Sequence, residues 1–452
     1  MKEIDLSHAI STSKFDSFHM KILLWSVAIL AIDGYDIAIG GVALPSIMTD
    51  MNVDAKQVGL MIGSGLAGMT VGAIGLGILA DKIGRRWSLI LCVALFSVFT
   101  TAAAFTTDPV TFGIVRFLAG LGIGGSAPSV AALMTEYGPN KNRSLMVALM
   151  SCGYAVGGIM AAVVGKQFIE QYGWQSVFLL GGLPILLIPF MLRSIPESPW
   201  FLYRRNRYAE LRKILSHFVP DHGSKEGEPI ILTNTERQAG APVAKLFLDG
   251  RGMSTVMIWI AFFMGLFMLY ALNVWLTKLL AMSGYSLGSA LTFVLVYNCG
   301  GFIGSIGGGL LADRYNIKWV LAGLYAIATG SLLLLGLGPT PTALFVLVML
   351  LGVSTVGAQG IGYAYAAQFY PSDMRATGVG FASGVPRAGA MRAPVIIAGL
   401  VSLNLSLAQN FTAIAVSGFI GFIAVLCIQH RLSSSRIQEP GSGGPLMQKG
   451  LA

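Results

Sequence analysis

Apolar stretches long enough to cross a bilayer begin near Ile22, Gln57, Ser88, Val110, Ser144, Gln175, Ser254, Leu287, Trp319, Thr342, Gly378 and Leu407, with polar segments between them. A hydrocarbon core about 30 Å thick needs about 20 helical residues to span it, so the pattern predicts a membrane-spanning helix at each of these points. The longest polar interruption, roughly Pro196 to Arg251, divides the spans into two sets of six. Its Trp200-Phe201-Leu202-Tyr203-Arg204-Arg205 start and Leu211-Arg212-Lys213-Ile214-Leu215 continuation fit short amphipathic helices at a membrane surface. The expected organisation is a six-helix bundle over 1–195, a linker over 196–252, a second six-helix bundle over 253–432 and a tail over 433–452. No small-residue cleavage site follows the first apolar run, so that span is expected to remain.

The two halves repeat at an offset of 232 residues. Gly77-Ile78-Leu79-Ala80-Asp81-Lys82 recurs as Gly309-Leu310-Leu311-Ala312-Asp313-Arg314, Trp87 matches Trp319, and Arg143 matches Arg375. Gly68, Gly72 and Gly75 match Gly300, Gly304 and Gly307. A parallel duplication of six spans is the architecture of carriers whose halves rock around a site near the bilayer midplane. The fold class expected is therefore an all-α membrane protein of two pseudo-symmetric six-helix bundles.

Composition narrows the class further. Only 11% of residues are charged and 54% are hydrophobic, too little charge to cover a soluble protein of this size. The net charge of +9 reflects topology. Of the 30 Lys and Arg, 24 fall at the termini, in the linker or in the loops on the same side, whereas Lys56, Lys166 and Lys278 fall opposite. That bias places both termini in the cytoplasm and argues against nucleic acid as a partner. Cys92, Cys152, Cys299 and Cys427 are scattered singly through different spans, and no histidine lies in a span, so neither a disulfide framework nor a metal site is expected. With no nucleophile motif or phosphate loop either, an enzyme is not expected.

The chemistry is concentrated in the charges that lie inside spans. Asp33 and Asp36 sit in Ile29-Leu-Ala-Ile-Asp33-Gly34-Tyr35-Asp36, and Arg116, Arg387 and Arg392 lie in other apolar windows. A charge at the centre of a membrane helix costs on the order of 2.5–3.5 kcal/mol on insertion scales, so each needs a reason. All five break the internal repeat: their matched positions are Gly265, Met268, Val348, Ala155 and Met160. At 1.5 Å per residue, Asp33 and Asp36 lie roughly 17 and 21 Å from the inner edge and Arg116 about 9 Å from the outer one, so an Asp36–Arg116 contact is allowed. Two carboxylates three residues apart share a helical face. In a poorly solvated site they should not both ionise readily, which leaves one able to carry a proton. Arg387 and Arg116 are the cations that can meet an anionic substrate. Tyr35, Tyr270, Trp275, Tyr297 and Tyr363 are aromatic candidates for its ring, and Asn273, Asn298 and Gln359 are polar groups able to orient it.

Gly77-Ile-Leu-Ala-Asp81-Lys-Ile-Gly84-Arg85-Arg86 resembles the loop signature of the major facilitator superfamily, G-x-L-A-D-x-x-G-R-R, and Pro196-Glu197-Ser198-Pro199 resembles a segment shared by its sugar, organic-ion and aromatic-acid carriers. Asp33-Gly-Tyr-Asp36, Arg116-Phe-Leu-Ala-Gly120, Glu136 and Gly384-Val-Pro-Arg387-Ala-Gly389 resemble the aromatic acid:proton symporter family, benzoate-type and 4-hydroxybenzoate-type carriers most of all. That resemblance implies the major facilitator fold, proton coupling through Asp33 and Asp36, and essential charges at Arg116, Glu136 and Arg387. It also implies structural or gating roles for Asp81, Arg85, Arg86, Asp313, Arg314 and Arg375. The activity implied is symport of an aromatic carboxylate with a proton across a bacterial inner membrane, by one chain in lipid, driven by the proton gradient with no cofactor. The chain departs from the family pattern at Pro386, expected to stiffen or kink span eleven, and at Arg392, which either adds an anion site or snorkels outward. The runner-up readings are a carrier for a sugar or organic ion, which leaves the arginines without a substrate role, and a carrier with an added chemoreceptor role. Antiport is disfavoured because Gly153-Tyr-Ala-Val-Gly157-Gly158 lacks the proline that the resemblance associates with it.

Overall fold

The computed structural model describes residues 4–5, 10, 12–139, 143–218, 230–231, 243–371, 374–403 and 405–433. Lys141, the Gly-Ser-rich 440–445 stretch and the side chains of Asp313 and Arg375 lie outside the described part. The first bundle comprises α1 (Ser17–Asp50), α2 (Ala55–Ile83), α3 (Arg85–Ala103), α4 (Pro109–Tyr137), α5 (Arg143–Tyr172) and a sixth span. That sixth span is made of α6a (Gln175–Gly181), a 3-10 stretch (Leu183–Leu187) and α6b (Ile188–Ser194). The second bundle comprises α7 (Gly252–Met282), α8 (Leu287–Arg314), α9 (Ile317–Gly336), α10 (Pro341–Phe369), α11a (Arg375–Gly384), α11b (Arg387–Ser402) and α12 (Leu407–Cys427).

Local chemistry sets the helix starts. Asp16, Asp54 and Ser406 cap α1, α2 and α12 as capping boxes with His19, Gln57 and Gln409, and Asp108 caps α4 with Pro109 in the first turn. Eleven spans among the described residues are long and apolar enough to cross a membrane. The expected eleventh in chain order is the exception, because it breaks between Gly384 and Arg387. Pro386 has no N–H to give, and the chain bridges the break with tight bonds from Ala388 and Gly389 to the Val385 and Pro386 carbonyls. The interruption falls at the expected proline, with Val385 and Pro386 both in the right-handed helical region. Arg392 lies on an exposed face of α11b with Ile396, while Ala393 and Pro394 are buried, so its side chain points outward.

The all-α architecture carries one small addition. Ile4–Asp5 pairs in parallel with Ile230–Ile231 of the linker, and Ile10, Leu202, Leu211, Leu215 and Ile230 form a small apolar cluster there. The amphipathic linker helices are Pro199–Arg204 and Tyr208–Leu215, and the latter buries Leu211 and Leu215. These short polar segments gain regular structure only by packing on one another, a tertiary effect that period-based reading misses.

Within the first bundle α1 lies on α5 and α2 on α4, and the second bundle mirrors this with α8 on α10. The approach is close because the facing residues are glycines. A side chain at Gly34 would strike the Tyr154 backbone, and one at Gly157 would strike the Ala31 carbonyl and the Gly34–Tyr35 backbone. Between bundles, α1 meets α7, α2 meets α11b and α5 meets α8. Each of these contacts lies toward the end of the molecule opposite the termini. Gly41 abuts the Asn273 carbonyl, Gly59 abuts Pro394 and Ala398, Gly158 abuts the Asn298 amide, and Lys166 Nζ donates to Thr292 Oγ1 at 3.0 Å. Toward the termini, Gly75 and Gly77 of α2, Gly307 and Gly309 of α8 and Gly380 and Gly384 of α11a face open space. The bundles thus touch at the far end, where α2 packs on α11b, while α11a packs on α7 and α10 of its own bundle.

Gly34→Ala is expected to lower the melting temperature of the detergent-purified protein, since overpacking a close backbone contact costs about 1–3 kcal/mol. Gly77→Ala, at a position with open space, should leave it within experimental error.

Candidate functional site

α1 carries Asp33, Tyr35 and Asp36 at mid-helix without interruption, so Gly34 serves close packing and does not break the turn. Asp36 is buried. Its Oδ1 accepts from Arg116 Nη1 at 2.9 Å and from Thr100 Oγ1 at 2.5 Å, and Arg116 Nη2 also reaches the Asp36 carbonyl at 3.2 Å. The Arg116 guanidinium rests 5.6 Å from the centre of the Phe178 ring. The contact allowed by depth alone is therefore present, and it engages both Arg116 terminal nitrogens.

Asp33, wholly buried, has different company. Its Oδ2 accepts from Ser126 Oγ of α4, and its Oδ1 has no hydrogen-bond partner. No described residue forms an ion pair with it. One carboxylate of the pair is thus neutralised by an arginine, and its neighbour is held by a neutral hydroxyl.

Arg387 opens α11b just past the proline break and is half-buried. Its charge acts on Tyr154 of α5, Tyr270 of α7 and Tyr363 of α10, and Asp33 acts on Tyr154 and Tyr270. Tyr154 of the first bundle and Tyr270 of the second thus lie within electrostatic reach of both the anion and the cation. Other sequence candidates take packing positions. The Tyr35 hydroxyl donates to the Val177 carbonyl at 2.8 Å, and the Tyr297 hydroxyl bonds Thr355 Oγ1 at 2.9 Å inside the second bundle. Asn273 and Asn298 return their amides to their own helices, at Leu269 and Val294, where the bundles touch. Trp275 donates to the Pro394 carbonyl at 3.1 Å. Gln359 lines a cavity inside the second bundle with Phe262 and Tyr325, its Nε2 against Gly265, the residue matched to Asp33. Neutral side chains fill there the place that a carboxylate takes in the first bundle.

The signature loop is tied to the linker. Gly84, at φ +99°, starts α3 without a side-chain cap of its own. The Glu197 carboxylate supplies one from 111 residues on, accepting from Arg86 N at 3.2 Å and Ser198 N at 2.9 Å. The Tyr137 hydroxyl fixes the same turn by donating to the Glu197 carbonyl at 2.5 Å. Arg85 bridges Asp81 at 2.8 Å and Glu136 at 3.6 Å, and Arg314 is exposed at the end of α8. Ser126, Thr100, Tyr154 and the capping role of Glu197 escaped sequence reading. Small hydroxyls in apolar helices carry no distinctive pattern, whereas the unexplained glutamate of the Pro-Glu-Ser-Pro segment was a usable signal.

Two bundles closed at one end around buried opposite charges define a polytopic membrane carrier. Known proteins agree with that class. The family model described as Major Facilitator Superfamily matches residues 26–394. The benzoate transport protein of Acinetobacter baylyi is 38% identical, covering 98% of this chain and 96% of its own. The 4-hydroxybenzoate transporter PcaK of Pseudomonas putida is 33% identical over 94% and 96%, and the gallate transporter of Pseudomonas putida 32% identical over 94% and 95%. Among solved structures, a D-xylose-proton symporter superposes with a TM-score of 0.71 at 17% identity, covering 93% of this chain and 99% of that one. The chain belongs to the major facilitator superfamily, in the branch that these carriers form, and is a membrane transporter and not an enzyme.

Arg116→Ala strands the Asp36 carboxylate and is expected to destabilise the protein by about 3–5 kcal/mol, seen as a marked drop in melting temperature; joining Arg116→Gln with Asp36→Asn should recover most of it. At the linker, burial raises the Glu197 carboxyl above its ordinary 4.5, against the opposing pull of the Ser198 and Arg86 N–H groups. A carboxyl raised in the folded state favours folding below its unfolded value and loses that contribution as pH rises through its folded value. Thermal stability should therefore decline with rising pH across that window, and Glu197→Gln should flatten this part of the profile.

Proposed function

We propose that the protein is a proton-coupled symporter that imports an aromatic carboxylate of the benzoate or hydroxybenzoate class across a bacterial inner membrane. Both termini then lie in the cytoplasm, one chain works alone, and transport proceeds by alternating access. The carrying observation is that Asp33 and Arg387 are the two interior charges without a charged partner among the described residues, while Asp36 and Arg116 cancel each other. The substrates named for the relatives supply the chemical class of the cargo.

Charge balance then yields the coupling rule. The empty carrier holds ionised Asp33 opposite Arg387 and is neutral in the interior. The loaded carrier holds protonated Asp33 and a carboxylate on Arg387, and is neutral again. A proton alone leaves one excess positive charge and a substrate alone one excess negative charge, and either must cross a low-dielectric interior when the bundles rock. Only the empty and the doubly loaded forms reorient cheaply, which is symport at one proton per carboxylate. Closure at the far end, with parted glycine faces near the termini, fits the inward-open stage of such a cycle.

In vesicles, Asp33→Asn is expected to abolish accumulation of labelled benzoate driven by an imposed pH gradient, because the empty carrier is held at one excess positive charge. Exchange of external for internal benzoate, which passes through the loaded form alone, should persist. Gradient-driven accumulation at wild-type level in that variant would overturn the proposal.

A further inference from the structure

The tyrosines inside the bundles divide into two groups by what their hydroxyls do. Those of Tyr35, Tyr297, Tyr325 and Tyr365 are bonded to protein, to Val177, Thr355, Ala261 and His430. Those of Tyr154, Tyr270 and Tyr363 bond none of the described residues, and these are the three on which the Arg387 charge acts. All three side chains are partly exposed, and they come from α5, α7 and α10. Tyr154 belongs to the first bundle, whereas Tyr270, Tyr363 and Arg387 belong to the second.

A phenol O–H beside a guanidinium is a donor aimed where an anion would sit, and hydrogen bonds to a charged acceptor are roughly twice as strong as neutral ones. Packing fixes the geometry. Gly153 and Gly157 seat α5 on α1, with the Tyr154 backbone against Gly34, so Tyr154 is held beside Asp33. We propose that the hydroxyls of Tyr154, Tyr270 and Tyr363 complete, with Arg387, the site for the substrate carboxylate, and that Tyr154 and Tyr270 bring that carboxylate beside the Asp33 proton. This rests on the symport reading and adds to it the groups that join cargo to proton. The site is made from both bundles, so the bound carboxylate also holds them in register.

The surroundings of Asp33 make the pH effect specific. The titratable and charged groups facing it are Asp36 on its own helix, Cys92 from α3, Tyr154 from α5 and Tyr270 from α7, while Arg116 of α4 is committed to Asp36. A carboxylate placed between Tyr154 and Tyr270 favours the neutral form of Asp33 by like-charge repulsion. At Tyr363 the acting charge is Arg387, without the contribution from Asp33 that Tyr154 and Tyr270 feel.

The test compares Tyr154→Phe, Tyr270→Phe and Tyr363→Phe with wild type and with Tyr297→Phe, whose hydroxyl is bonded within its bundle. Labelled benzoate uptake, normalised to protein in the membrane, gives KM as a function of pH, and the benzoate-induced rise in melting temperature of purified protein gives affinity without transport. The three cavity variants should raise KM and weaken binding about tenfold, with unliganded melting temperatures unchanged, and Tyr297→Phe should do neither. Tyr154→Phe and Tyr270→Phe should also move the pH at which KM doubles, and Tyr363→Phe should not. Wild-type KM and pH profile in Tyr154→Phe and Tyr270→Phe would overturn the inference while the symport reading stands. A wild-type protein that neither binds nor takes up aromatic acids would overturn the reading itself.

Discussion

A charge inside a bilayer must be cancelled by a neighbour, and the arrangement of this molecule follows from how its four central interior charges are cancelled. Asp36 and Arg116 do so permanently, at 2.9 Å, with Thr100 as a third partner. Desolvation of such a pair offsets much of its attraction, so it is a weak source of stability but an unforgiving one to break. Its value lies in what it leaves over. Asp33, three residues away, cannot share the arginine, and its remaining cationic counterpart stands on the other bundle at Arg387.

That separation gives the fold its mechanical meaning. Tyr154 and Tyr270, one from each bundle, stand within electrostatic reach of both the Asp33 carboxylate and the Arg387 guanidinium. Helices approach closely where glycine removes the side chain, as at Gly34, Gly157, Gly41 and Gly158, and stand apart where the same residue type faces open space, as at Gly77, Gly309 and Gly380. Gly34 and Gly157 hold α1 on α5 within the first bundle, whereas Gly41, Gly59 and Gly158 let the two bundles touch at the far end. Because the signature loop is fastened to the linker through Glu197, movement at that end acts on a tied structure and not on a free loop.

The spans, the duplication and the charge set were legible because each rests on a strong one-dimensional signal. These were hydropathy over about 20 residues, identity at a constant offset, and a carboxylate where a membrane tolerates few. The Asp36–Arg116 pair followed from helix rise alone. Less legible was anything set by rotation about a helix axis. Tyr35 and Tyr297 face their own bundles, Asn273 and Asn298 lie where the bundles touch, and Tyr154, in a glycine run read only for its missing proline, lies against Gly34 beside Asp33. Apolar spans have little periodicity to fix that rotation, since nearly every position is apolar whichever way it points. Ser126 and Thr100 were hidden for a related reason, as small hydroxyls can bond their own helix as readily as a neighbour.

The central claim is that the empty and doubly loaded carriers are equally free of net interior charge. Charge movement in reconstituted vesicles tests it most directly, with benzoate uptake and proton uptake recorded together at a set membrane potential. One proton should be taken up per benzoate, and the rate of accumulation should follow the pH gradient and ignore an imposed potential. Accumulation driven by potential at zero pH gradient, or a stoichiometry other than one, would contradict it.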